Sequence, residues 1–138
     1  MARPKTKELT ERELEVMHAV WDLVGSRSDG TATTVADVRE ELARRGRDLA
    51  YTTVATLFSI LAEKGFVTQT NDERPFRYVP AKSFEEVSGS LLGDLVDRVF
   101  SGSREQLLVR LVEDRKLTKK ERSVLEDILK DAAKEARR

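Results

Sequence analysis

Residues 49–80, LAYTTVATLFSILAEKGFVTQTNDERPFRYVP, decide the fold. From Tyr51 to Lys64 the apolar residues Val54, Leu57, Phe58 and Leu61 recur at three- and four-residue steps, the spacing of one helix face. That spacing predicts a helix beginning near Tyr51 and running to about Lys64. Gly65 is its expected C-cap, because a left-handed residue there closes the last turn without a Cβ clash. The pattern then changes. Phe66-Val67-Thr68-Gln69-Thr70 and Pro75-Phe76-Arg77-Tyr78-Val79-Pro80 are β-prone runs on either side of a polar tip, Asn71-Asp72-Glu73-Arg74, which reads as a hairpin. A hairpin directly after such a helix is the wing of a winged helix, if two further helices precede it.

Two do. A side-chain oxygen followed three residues later by Glu or Gln satisfies orphan donors at a helix start reciprocally. The pattern occurs at Thr10…Glu13, Ser83…Glu86, Ser103…Gln106 and Thr118…Glu121, with a weaker relative at Thr34…Asp37. After Thr10, Leu14, Met17, Val20, Trp21 and Val24 fall at helical spacing, and the Gly25–Thr31 run of Gly, Ser and Asp reads as a loop. After Thr34, Val35, Val38 and Leu42 share a face that ends near Arg45-Gly46. A tight link then leads to the helix at Tyr51, the layout of a helix-turn-helix.

Beyond Pro80 the character changes again. Phe84, Val87, Leu91, Leu92, Leu95, Val96, Val99 and Phe100 form one apolar stripe. Leu107, Leu108, Leu111 and Val112 follow the Gly102 break, and Val124, Leu125, Ile128 and Leu129 make a third. Three amphipathic helices of this length cannot bury such stripes alone, whereas a second copy can cover them. The expected fold class is therefore mainly α with a small β-hairpin. A winged helix-turn-helix domain occupies residues 1–82, and a helical dimerisation arm occupies residues 83–138. The arm residues expected at the dimer contact are Leu91, Leu95, Val99, Leu107, Leu108, Leu111, Leu125, Ile128 and Leu129.

Composition excludes several classes of function. With no cysteine there is no disulfide, thiolate metal site or thiol catalysis. His18, the one histidine, has no second imidazole or thiolate to share a zinc ion, so it reads as structural and no metal is expected. Glu40-Glu41 and Glu85-Glu86 lie on solvated faces without a convergent partner, and no phosphate loop or nucleophile elbow occurs. No enzyme and no cofactor is expected. Apolar runs fall short of the ~18–20 residues of a membrane span, and the basic start lacks the apolar core of a secretion signal. The expected compartment is the cytoplasm, with no membrane insertion of the chain itself. Net charge is zero overall, and it cancels within each of the two expected domains, so nucleic-acid binding would rest on local patches. Candidates are Arg3, Lys5 and Lys7, then Arg44, Arg45 and Arg47, then Lys64, Arg74 and Arg77.

The face of the third helix opposite its apolar stripe carries Thr52, Thr53, Thr56 and Ser59, with Tyr51 at its start. Hydroxyls can bond base edges or phosphates, and a recognition helix inserts its N-terminal residues into the major groove. A merely solvated face is the plainer alternative, but threonine is a mediocre helix former to choose for solubility alone. Arg74 and Arg77 on the wing are expected to reach phosphate or the minor groove, and Arg47 to position the backbone. Phe76 and Tyr78 are expected to pack inward. Double-stranded DNA is the expected partner; a protein-interaction winged helix is the alternative.

The chain also resembles the BlaI/MecI (penicillinase repressor) family over nearly its whole length. The resemblance rests on Leu9-Thr-Glu-Arg-Glu-Leu-Glu-Val-Met-His-Ala-Val-Trp, on Thr34-Val-Ala-Asp-Val, and on Leu49-Ala-Tyr-Thr-Thr-Val-Ala-Thr-Leu. Leu61-Ala-Glu-Lys-Gly-Phe-Val, Arg74-Pro-Phe-Arg-Tyr-Val-Pro and Leu107-Leu-Val-Arg-Leu-Val-Glu extend it. It implies a homodimeric repressor on a palindromic operator, relieved when a membrane sensor peptidase triggers cleavage in the dimerisation arm. The matching stretch carries Arg110-Leu111 where the best-known members have Asn-Phe, so this pair is the candidate cleavage point and a departure from the family pattern. The cysteine hook of the copper-responsive branch is absent.

Overall fold

The computed structural model describes residues 8–25, 32–114 and 116–137. The expected Gly25–Thr31 loop, except for Gly25, and the basic residues Arg3, Lys5 and Lys7 lie outside the described residues. The elements run α1 (Glu11–Gly25), β1 (Thr33–Thr34), α2 (Val35–Arg44), α3 (Tyr51–Lys64), β2 (Val67–Gln69), β3 (Arg77–Pro80), α4 (Phe84–Val99), α5 (Arg104–Asp114) and α6 (Lys119–Ala136). Two compact units result, Met1–Gly89 and Ser90–Arg138.

In the first unit α1, α2 and α3 enclose a core of Val16, Met17 and Val20, Val38 and Leu42, and Val54, Phe58 and Leu61. The sheet closes one side. Tyr78 of β3 stacks on Phe58 with ring centroids 4.4 Å apart, which confirms its expected inward packing, and Phe76 is half-buried beside the same core. β2 and β3 pair antiparallel, with Val67 opposite Pro80 and Gln69 opposite Tyr78. The expected hairpin gains a third strand, since β1 joins the other edge of β3 with Thr33 opposite Tyr78 and Thr34 opposite Arg77. Two residues carry no period, so β1 was invisible in the sequence. Thr34 serves twice, as a strand end and as the cap whose side chain accepts from the Asp37 amide at 3.2 Å. Thr33 is fully buried, and among the described residues its hydroxyl has no hydrogen-bond partner. An unpaired buried hydroxyl costs about 1–3 kcal/mol. Thr33→Val is therefore expected to raise stability by about 1 kcal/mol, read as a higher urea midpoint with unchanged slope.

The buried face of α1 is rotated from its expected position. Glu13, Val16, Met17, Ala19 and Val20 are buried, while Leu14, Trp21 and Val24 are half-buried. The rotation brings a carboxylate inside, and the protein neutralises it locally. Glu13 is 4% exposed. It receives Lys64 Nζ at 2.7 Å and closes the expected capping box with Thr10, whose amide donates to it at 3.0 Å. Lys64 also donates to the Glu8 carbonyl at 2.9 Å. Lys64 therefore leaves the list of DNA-facing cations: it staples the end of α3 to the start of α1.

The junction with α4 belongs to the same unit. Trp21 Nε1 donates to the Lys82 carbonyl at 2.9 Å, Phe84 meets Trp21 edge-on at 5.4 Å, and Val87 is buried. Further along, α4, α5 and α6 start at their expected caps. Ser83, Ser103 and Thr118 each accept from a backbone amide three residues on, at 3.0, 3.1 and 3.0 Å. Ser101 and Gly102, both at positive φ, make the turn between α4 and α5, and the Gly102 amide reaches back to the Val96 carbonyl. In this second unit Val96 is buried. Leu91, Leu95, Val99, Leu108, Leu111, Leu125, Ile128 and Leu129 are exposed, and Leu107 is half-buried.

Candidate nucleic-acid interface

The interface is built on α3 and the wing. Because Val54, Leu57, Phe58 and Leu61 anchor α3 inward, helical geometry turns Tyr51, Thr52, Thr56 and Ser59 outward, and all four are exposed. Thr53 is half-buried, so less of it is available for contact. The N-cap of α3 is Ala50, which supplies no side-chain acceptor, and the first turn contains no acid. Amides at the positive end of the helix dipole are thereby left for another anion, such as a phosphate. This feature is readable in the sequence as a missing cap, since Ala50 stands where Ser, Thr, Asp or Asn would otherwise cap the helix.

The Asn71 side-chain amide is the centre of the hydrogen bonds that hold the wing tip. Asn71 Nδ2 donates to the carbonyls of Glu73 (2.8 Å) and Pro75 (3.2 Å), while its Oδ1 accepts from the Arg77 amide at 2.7 Å. Gln69 Nε2 donates to the Asn71 carbonyl at 2.7 Å. The loop so folded projects Arg74, whose guanidinium lies 5.7 Å from the centre of the Phe76 ring. In the sequence Asn71 is only a polar residue of the tip, since an Asx-type network shows itself in the folded loop and not in composition. Asn71→Ala is expected to cost about 1–2 kcal/mol locally and to free the wing. Backbone amide exchange should then accelerate at residues 70–77 without a change in the core.

The cations at the end of α2 are already engaged. Arg45 donates to Glu41 and to Asp22, at 2.8 and 2.7 Å, and these carboxylates hold its guanidinium charged above its ordinary pKa despite partial burial. Arg44 also pairs with Glu41. Arg47 makes a two-pronged pair with Glu15, at 2.8 and 3.1 Å. Arg39 Nε binds the Leu49 carbonyl at 3.0 Å, which steadies the turn into α3. Exposed pairs of this sort hold by less than about 1 kcal/mol, so Arg47 can exchange Glu15 for a phosphate at little cost.

Tyr51, Thr52 and Arg74 come together around a cleft of about 400 Å³ between α3 and the wing. Thr53, Thr56, Arg47 and Arg77 are not among its lining residues. Arg77 is exposed on β3, which continues into the hairpin.

Helices α1 to α3 followed by a sheet-supported wing, with a hydroxyl-rich outer face on the last helix, define a winged helix-turn-helix protein of the transcription-regulator class. Residues 9–131 match the Penicillinase repressor family, and the chain belongs to that family, whose members are transcriptional repressors and not enzymes. The chain is 41% identical over 110 residues to the transcriptional regulator BlaI of Mycobacterium tuberculosis (strain CDC 1551 / Oshkosh), covering 79% of this chain and 75% of the relative. It is 26% identical over 125 residues to the methicillin resistance regulatory protein MecI of Mammaliicoccus sciuri, covering 91% and 95%. The MecI protein of Staphylococcus aureus (strain N315) matches to the same extent. Among the described residues no helix is long and apolar enough to cross a membrane.

Proposed function

We propose that the protein is a sequence-specific repressor that binds a palindromic double-stranded operator as a homodimer. The observation that carries this reading is the exposed Tyr51, Thr52, Thr56 face of α3, uncapped at its N-terminus and flanked by Arg74 of the wing. α3 would enter the major groove by its first turns, Arg74 and Arg77 would take phosphate or the minor groove, and Arg47 the backbone. The exposed leucines and Ile128 of the second unit support dimerisation, because apolar surface of that extent on a soluble helix bundle calls for a partner. A second copy of the arm offers the same surface in return. Such a repressor works in the cytoplasm and needs no cofactor.

Relief by proteolysis fits the same arm. Arg110 and Leu111 are exposed on α5, although the helix must unwind locally before a protease can hold their peptide bond in an extended form. A sensor peptidase in the membrane would start that cleavage, and loss of dimer contacts would end operator binding.

Fluorescence anisotropy against the DNA upstream of the protein's own gene, with scrambled duplex as control, tests the reading. The upstream DNA is expected to bind at least ~10³-fold tighter, with affinity falling steeply between about 50 and 200 mM salt. Thr52→Ala with Thr56→Ala is expected to erase most of that preference while leaving the salt dependence intact. If genomic and scrambled duplexes bind alike, and the double variant changes nothing, the fold is serving protein interaction instead.

A further inference from the structure

The cleft between α3 and the wing is better furnished than a phosphodiester backbone requires. Its volume, about 400 Å³, lies within the roughly 300–1,000 Å³ of small-molecule pockets. Ala55, Pro75 and Phe76 give it apolar walls, while Thr52, Gln69 and Arg74 bring donors to it, and no carboxylate lines it. In a chain with 25 acidic and 25 basic residues, a cleft with one arginine and no acid favours an anion.

Tyr78 adds a second, independent observation. It is 5% exposed, its ring is fixed against Phe58, and it lines the cleft. Its hydroxyl makes no hydrogen bond to another described residue and is not sealed from solvent, so it stays open to an acceptor on a ligand. Burial, followed by the nearby Tyr51 phenol, raises its pKa, so at neutral pH the hydroxyl keeps its proton and can donate it to an acceptor in the cleft.

We infer that this cleft is a binding site for a small organic anion with a flat apolar body, of the aromatic carboxylate class. The ring would lie against Phe76 and Ala55, and the carboxylate would accept from Arg74 and from a tyrosine hydroxyl. Tyr51, Thr52 and Arg74 are also the residues assigned to DNA, so an occupied cleft and a bound operator exclude one another. The ligand would then release the operator without cutting the chain. This regulatory consequence rests on the DNA-binding reading; the ligand site does not.

Benzoate is the probe, with benzamide (ring without charge) and acetate (charge without ring) as controls, titrated into the full chain and followed by amide NMR. Benzoate alone is expected to shift signals of residues 51–55, 69 and 74–78, saturating in the millimolar range. Tyr78→Phe keeps the ring stack and removes only the hydroxyl. It is expected to weaken benzoate about threefold to tenfold with an unchanged melting temperature. Saturating benzoate at fixed ionic strength is expected to lower operator affinity about tenfold or more. Equal shifts from all three probes, shifts spread over the surface, or an unchanged affinity in Tyr78→Phe would overturn the site. Operator binding without benzoate binding would leave the DNA reading standing and end this one. Benzoate binding in the cleft of a chain that binds no operator would keep the site and discard its regulatory role.

Discussion

Ending the chain after Gly89 is expected to lower affinity for the full operator by about 10²–10⁴ while leaving affinity for a single half-site unchanged. The physical basis is effective concentration. In a dimer, once one α3 is seated, the second is held near its half-site and binds as if at millimolar concentration. The piece 1–89 retains the whole core, from Val16 to Val87, so its loss of affinity would report the missing second copy and not misfolding. Ending instead after Lys82 removes Val87 and the edge contact of Phe84 on Trp21. That shorter piece is expected to lose a further ~2 kcal/mol of stability from lost burial. Anisotropy on full and half operators, beside a thermal melt of each piece, separates the two effects. Full affinity in the 1–89 piece would mean that the arm does not link the two reading heads.

Replacing Lys64 by methionine is expected to cost about 3–5 kcal/mol at neutral pH, the effect of stranding one member of a buried ion pair. The pH dependence should also change sign. In the intact protein burial pushes the Glu13 carboxyl up, but the Lys64 hydrogen bond and charge, with the bonds from Thr10, outweigh it, and the pKa ends below its ordinary value. The stabilisation from Glu13 is thus fully present above the ordinary carboxylate range and is lost as pH falls through the lowered folded value. Without Lys64, burial is opposed only by Thr10, and the folded pKa is expected to rise above the unfolded one. The variant then gains relative stability as the medium is acidified through that raised value, where the parent begins to lose it. Urea midpoints from pH 3 to 8 measure both curves. Parallel curves would show that Lys64 does not govern the charge of Glu13.

How much of this was legible depended on the range of the interaction concerned. The caps at Thr10, Ser83, Ser103 and Thr118, with Thr34, are formed where the sequence placed them, because a capping box involves four consecutive residues and nothing else. The bounds of α3 and its inward face were equally plain, since its period is strong and Gly65 ends it with φ 86°. The family resemblance, read from motifs in α1, α3 and the wing, agrees with the Penicillinase repressor match over residues 9–131. By contrast, nothing near Thr33 announced a strand. β1 exists because β3 presents a free edge there, some forty residues later. Nor did the acid at Glu13 look different from its neighbours until Lys64 came within reach.

The sequence by itself determined where the helices start and stop, which faces are apolar, and that a β-hairpin follows the third helix. These are local matters of backbone satisfaction and hydrophobic period, settled within a few residues. It also placed the hydroxyl face of α3 opposite the core, because helical geometry leaves no other side. Only the tertiary structure decided which cations are free to meet DNA. Arg44, Arg45 and Lys64 turn to carboxylates, Arg47 pairs with Glu15 at the surface, and Arg74 stands out on a loop tied by Asn71. The pairs of Arg44 and Arg45 with Glu41 are local, three and four residues apart on α2. Those of Arg45 with Asp22, Arg47 with Glu15 and Lys64 with Glu13 exist only because the fold brings distant residues within a few ångströms, where Coulomb attraction acts.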